Sequence, residues 1–205
     1  MNEMPSDSRG QEEPEFNTTV NGWLKRPEVQ KTWDIEQLMA KGTTLIISGN
    51  TGIGKSWETK HLAFRFYSGQ KWHGLQCRKL TPIYITTELT ENQMRRRLKK
   101  LAPQYPDAKG IHFIANKHEN YRLNTSTGRN NLFGLLNSKC VDGKFGVVIL
   151  DPLAMFIDSE IQKVDWNKQV EPVLTELKRC YDCSLVLNHN FRKAVRIYGH
   201  EEDLF

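Results

Sequence analysis

Residues 49–56 read GNTGIGKS, and this stretch decides the fold. It fits G-x-x-x-x-G-K-[ST] at each fixed position. Glycines let the main chain turn a row of N–H groups inward around an anion, and a helix that follows adds the positive end of its dipole. Lys55 is then placed to reach the β- and γ-phosphates of a nucleoside triphosphate, and the Ser56 hydroxyl to bind Mg²⁺. Gly49, Asn50, Thr51, Gly52, Ile53, Gly54, Lys55 and Ser56 are the expected nucleotide contacts.

That pattern has meaning only between a strand and a helix. TTLIISG (43–49) supplies a short β-branched strand before it, and KSWETKHLAFRFYSG (55–69) a helix after it that stops at a glycine. Further strands are expected in TPIYITTE (81–88), GIHFIA (110–115), FGVVIL (145–150) and CSLVLNHN (183–190). Between them, LTENQMRRRLKKLAP (89–103) reads as a helix capped by Thr90 and closed before Pro103. RNNLFGLLNSKC (129–140) and DWNKQVEPVLTELKRCYD (165–182) read as helices too, with Pro172 tolerable only in the first turns. WDIEQLMAKG (33–42) has helical spacing and a glycine at its end, so a helix is expected there as well. Strands alternating with helices give an α/β fold, a three-layer domain with a mainly parallel sheet.

FGVVIL is apolar throughout, as a strand buried on both faces of a parallel sheet must be, and it ends at Asp151. A carboxylate at the C-terminal edge of such a sheet faces the crevice where ligands bind, so Asp151 is the expected Mg²⁺ holder, acting through water. Many phosphate-loop ATPases place the water-activating glutamate directly after this aspartate. Here that position is Pro152, which accepts no proton, so the base must come from another strand end. Glu88 closes IYITTE on the same edge and is the expected general base, whereas Glu91 falls in a first helical turn, where acids serve the dipole. LVLNHN brings His189 to that edge, where a polar side chain could sense the γ-phosphate. Arg192, Lys193 and Arg196 follow as cations able to complete a phosphate site in a neighbouring subunit.

Taken together, GNTGIGKS, YITTE, VVILDPLAMF and LVLNHNFRK resemble the RecA-like ATPases, over about residues 30–195. Within that superfamily they look most like the RepA-type hexameric replicative helicases of plasmids and phages, with DPL and the following Phe156 the most discriminating part. The resemblance implies a three-layer RecA-like phosphate-loop NTPase using ATP and Mg²⁺, a homo-oligomeric ring, a hexamer by analogy, and coupling of hydrolysis to movement on single-stranded DNA. It makes Glu88 the catalytic glutamate, Asp151 the magnesium aspartate and His189 one of a paired-histidine sensor, with Asn188 standing where the other histidine is often found. Only 16 residues follow His189, whereas relatives continue through strands that carry an arginine finger and DNA-binding loops. A finger contributes a factor of about 10³ to 10⁵ in rate, so either Arg192, Lys193 and Arg196 substitute or the chain is a shortened form; the second is expected. A helicase loader, a recombination ATPase or an assembly switch with little hydrolysis would share the same site.

Composition narrows less. Apolar residues make up 38% and charged ones 26%, ordinary for a globular domain. A charge of +5 and a pI near 9.0 permit nucleic-acid binding without requiring it, and the densest cations, MRRRLKK (94–100), read first as a solvated helix face. The four cysteines form one CxxC and two singletons, without the second pair a zinc site needs. Residues 1–20 begin with a polar, acid-rich run and are expected to be a disordered lead, with the ATPase domain over 21–205. No signal sequence and no apolar run near the roughly 18 residues of a membrane span is present, so the cytoplasm is the expected location, with no membrane partner.

Overall fold

The structure, a computed structural model, describes residues 19–28, 30–117, 120–140, 145–158 and 164–190. The chain divides into two units, Met1–Lys31 and Thr32–Phe205. In the first, helix α1 (Val20–Leu24) is capped by the Thr19 hydroxyl, which accepts from the Gly22 N–H at 3.1 Å.

The second unit opens with an antiparallel pair, β1 (Trp33–Ile35) and β2 (Met39–Ala40), where the spacing predicts a helix. Long-range bonds decide the difference. The backbone of 34–36 pairs with 76–78, through Arg78 N–H to Asp34 O and Glu36 N–H to Gln76 O, both 2.9 Å. Asp34 is fully buried, holds Arg78 at 2.8 Å through Nε and accepts from the Ser184 hydroxyl. Gln37 turns the chain with φ 58. Ile35 and Met39 still reach the core, so the apolar spacing serves a hairpin as well as a helix.

The remaining elements alternate as the sequence predicts: β3 (Thr44–Gly49), α2 (Lys55–Ser68), β4 (Pro82–Thr86), α3 (Glu91–Leu101), β5 (His112–Ala115), α4 (Ser126–Lys139), β6 (Val147–Leu150), α5 (Glu171–Tyr181) and β7 (Ser184–Asn190). The cap expected at Thr90 forms, as a capping box with Gln93, while α4 begins earlier than predicted, on the cap of Thr125. Pro172 sits in the first turn of α5, after a π-helical turn over Trp166–Val170.

Five strands form one parallel sheet in the order β3-β7-β6-β4-β5. Alternation along each strand sorts the core into two faces. Tyr84, Val147, Ile149 and Val186 meet Leu62, Ala63 and Phe66 of α2 and Met94 of α3. Ile83, Ile85, Val148, Leu150, Leu185 and Leu187 meet α4 and α5 through Leu132, Leu136, Val173, Leu174 and Leu177. The result is a three-layer α/β architecture, and it brings β3, β4, β6 and β7 to one C-terminal edge. No helix among the described residues is long and apolar enough to cross a membrane.

Candidate active site

The loop between β3 and α2 takes its shape from glycine. Gly52 (φ 90) and Gly54 (φ 95) lie in the left-handed region; a Cβ would meet no atom within 4 Å at either, so backbone conformation rather than space requires glycine there. Gly54 is the N-cap of α2 and brings no side chain to the first turn; its carbonyl accepts from the Trp57 and Glu58 N–H groups at 2.9 and 3.0 Å, and a helix N-terminus without a side-chain cap suits an anion. Lys55 is buried, and its ammonium donates to the carbonyls of Gly49 at 2.8 Å and Asn50 at 2.7 Å. Asn50, Thr51, Gly52, Ile53 and Gly54 line the exposed outside of the turn.

Ser56, in the first turn of α2, donates its hydroxyl to Asp151 Oδ1 at 2.9 Å, across 95 residues of sequence. Asp151 follows β6 directly, is 2% exposed and precedes a cis peptide to Pro152. Its Oδ1 also accepts from Asn188 Nδ2 at 2.5 Å, and the same amide lies 3.4 Å from Ser56 Oγ. Its Oδ2 accepts from the Tyr84 hydroxyl of β4, which in turn accepts from Lys60 Nζ at 2.5 Å. Lys60 Nζ stands 3.6 Å from Oδ2 and donates to the Ser56 carbonyl at 2.8 Å. Every group around Asp151 is a donor, which suits an ionised carboxylate.

Burial pushes the Asp151 carboxyl above its ordinary range, against the pull of the Lys60 ammonium and the bonds from Ser56 and Asn188. Burial likewise pushes Lys60 down to about 8, with Asp151 opposing it. Arg97 on α3 lowers Lys60 further and Glu88 raises it, so both charges lie within electrostatic reach of this centre.

Of the residues expected from sequence, Lys55, Ser56 and Asp151 meet at the loop. Glu88 lies exposed two residues past β4, with its N–H held by the Thr86 hydroxyl at 3.3 Å. His189 is exposed near the end of β7, and alternation turns it to the face opposite Asn188. Asn188, the residue standing where a histidine is often found, is the one that touches Ser56 and Asp151. Arg192, Lys193 and Arg196 lie outside the described residues. Lys60 and Tyr84 were not anticipated from the sequence. Their signal was positional only: Lys60 lies one helical turn beyond Ser56, and Tyr84 stands between Pro82 and Thr86 on one face of β4.

Two hard oxygen donors, Ser56 Oγ and Asp151 Oδ1, lie side by side and suit Mg²⁺, which takes few protein ligands and completes its shell with phosphate and water. Among the described residues no cluster of three or more His, Cys, Asp or Glu could hold a metal by itself. Asn188 Oδ1 is buried and has no partner among the described residues, an acceptor that an ordered water would satisfy.

A family model described as AAA domain matches residues 10–195. The chain belongs to the AAA domain family. As an AAA domain it is a phosphate-loop ATPase by family. A sequence search of curated proteins finds no match. Among solved structures, the flagellar accessory protein FlaH of Methanocaldococcus jannaschii is similar at 16% identity and a TM-score of 0.45, over 73% of this chain and 62% of FlaH. A KaiC-like protein of Pyrococcus horikoshii OT3 is similar at 13% identity and a TM-score of 0.46, over 84% of this chain and 76% of that one. The AAA domain thus spans somewhat under two thirds of the length of FlaH.

Proposed function

We propose that this AAA domain binds Mg²⁺·ATP at residues 49–56 and hydrolyses it with Glu88 as general base, as the motor of a replicative DNA helicase or helicase-like assembly of a mobile element. One observation carries the chemistry: Ser56 and Asp151, from opposite halves of the sequence, meet at 2.9 Å at the mouth of a glycine-shaped anion loop. Lys55 would exchange the carbonyls of Gly49 and Asn50 for phosphate oxygens. Ser56 and Asp151 would hold Mg²⁺, which supplies charge neutralisation along the phosphates. The Glu88 carboxylate takes a proton from the attacking water as its oxygen bonds to the γ-phosphorus. The bond from that phosphorus to the β–γ bridging oxygen breaks, and ADP leaves with the electron pair.

The motor reading rests on the resemblance of the four strand-end motifs, with His189 as a γ-phosphate sensor and a homo-oligomeric ring on single-stranded DNA. The exposed Arg95, Arg96, Lys99 and Lys100 of α3 are consistent with a polyanionic partner. ATP turnover measured with and without single-stranded DNA, over a range of salt, tests it. Stimulation that fades as salt rises is expected; an unchanged rate with no salt-dependent binding replaces the motor with a loader or an assembly switch.

A further inference from the structure

Lys60 is a buried charge beside the phosphate loop that the hydrolytic scheme leaves unused. A lysine at the interface of α2 with the sheet is unfavourable unless it is paired, and an aliphatic residue would fill the same space without that penalty. Packing therefore does not account for it. All of its polar contacts belong to the phosphate site: the carbonyl of Ser56 at 2.8 Å, the hydroxyl of Tyr84 at 2.5 Å and Oδ2 of Asp151 at 3.6 Å. The ammonium also lies 4.4 Å from the centre of the Tyr84 ring, which fixes the phenol from a second side. Both residues are fully buried.

The consequence lies in how the two oxygens of Asp151 are divided. Oδ2 faces inward, bound by Tyr84 and beside Lys60. Oδ1 faces Ser56 at 2.9 Å and Asn188 at 2.5 Å. The carboxylate is gripped on one side and presented on the other. We infer that Lys60 and Tyr84 are positioning residues for divalent-cation binding: a buried relay from α2 through β4 that locks Oδ2 and commits Oδ1 to the side of Ser56. The relay supplies Asp151 with a protein-borne counter-charge before any ion arrives. The carboxylate is then in place in the resting protein, and binding the cation needs no rotation of the side chain. Outer partners of this kind set the orientation of the residues that reach an ion, and losing one costs about 10- to 100-fold in metal affinity or activity.

The inference rests on the Mg²⁺·nucleotide reading of the site, and the test separates the two. A fluorescent nonhydrolysable ATP analogue is titrated at a series of Mg²⁺ concentrations, and the concentration giving half of the Mg²⁺-dependent gain in affinity is read for the parent, Tyr84→Phe and Asp151→Asn. Tyr84→Phe removes one hydroxyl and keeps the ring. It is expected to raise that concentration about tenfold, with a smaller change in affinity for the analogue in EDTA. If Tyr84→Phe stays within twofold of the parent while Asp151→Asn shifts strongly, the inference falls and the reading of the site stands. If Asp151→Asn also leaves the Mg²⁺ dependence unchanged, both fall together. Equal loss with and without Mg²⁺ overturns the inference as well, because it reports a general disturbance of the loop. Should Tyr84→Phe lose its near-ultraviolet circular dichroism, Lys60→Gln serves in its place with the same expected shift and the same overturning results.

Discussion

Replacing Lys60 by methionine removes one partner of a buried pair and keeps most of the side-chain volume. In the parent, Asp151 is 2% exposed, and its charge is balanced by an ammonium 3.6 Å away. Without Lys60 the carboxylate keeps the bonds from Tyr84, Asn188 and Ser56 but has no cation beside it. Breaking a buried pair from one side costs about 3 to 5 kcal/mol, and the three remaining donors place this case at the lower end, about 3 kcal/mol. The same three bonds favour the ionised form, so much of the loss persists as the charge of Asp151 itself. For a domain of this size each kcal/mol lowers Tm by about 2–4 °C, giving a drop near 10 °C. Urea denaturation followed by circular dichroism measures it as a lower midpoint at unchanged slope. Adding Asp151→Asn to Lys60→Met should recover part of the loss, since the orphaned charge is then gone. A Lys60→Met protein within 1 kcal/mol of the parent, or a double variant whose losses simply add, would refute the pairing.

Asp34→Asn, which keeps shape but loses the charge facing Arg78 and the strong acceptor for Ser184, is expected to destabilise by about 2–4 kcal/mol in the same urea assay. A loss below 0.5 kcal/mol would remove that contact as the reason for the hairpin over 33–40. Thiol labelling of the native protein with an uncharged disulfide reagent should modify exposed Cys180 first and spare Cys77 and Cys183, which are buried with thiols pushed up to about 11 and about 12. In the unfolded chain Cys183 ionises near 9.0, so the unfolded state sheds its proton first as pH rises. The stability due to the buried neutral thiol is full below about pH 9 and falls as pH climbs toward 12, which the urea midpoint measured at pH 8 and pH 10 checks.

Much of the fold was legible because the sequence carries its own punctuation. All five strands of the parallel sheet stand as β-branched or apolar runs, and Thr90 and Gly69 mark helix ends where caps form. The hairpin over 33–40 was not legible, because Ile35 and Met39 satisfy helical spacing while the bonds that overrule it come from Arg78 and Ser184, distant in sequence. The loop, Ser56 and Asp151 could be read because the loop follows the end of β3, Ser56 lies in the first turn of the helix after it and Asp151 follows the end of β6. The Lys60–Tyr84 relay could not, since a lysine inside a helix and a tyrosine inside a strand read as ordinary until the register of β4 against β6 places them under Asp151. Asn188 falls between: the strand end was recognised, but only the alternation along β7 shows that it, and not His189, reaches Ser56 and Asp151.

In the proposed mechanism the proline after Asp151 moves the proton acceptor to Glu88 on another strand, and this displacement is the centre of the functional proposal. ATP turnover by Glu88→Gln, measured beside the affinity for a nonhydrolysable analogue, tests it most directly. Turnover about 100-fold below the parent, with affinity unchanged, is the expected result. Hydrolysis at the parental rate would contradict it and return the search for the base to the remaining strand ends.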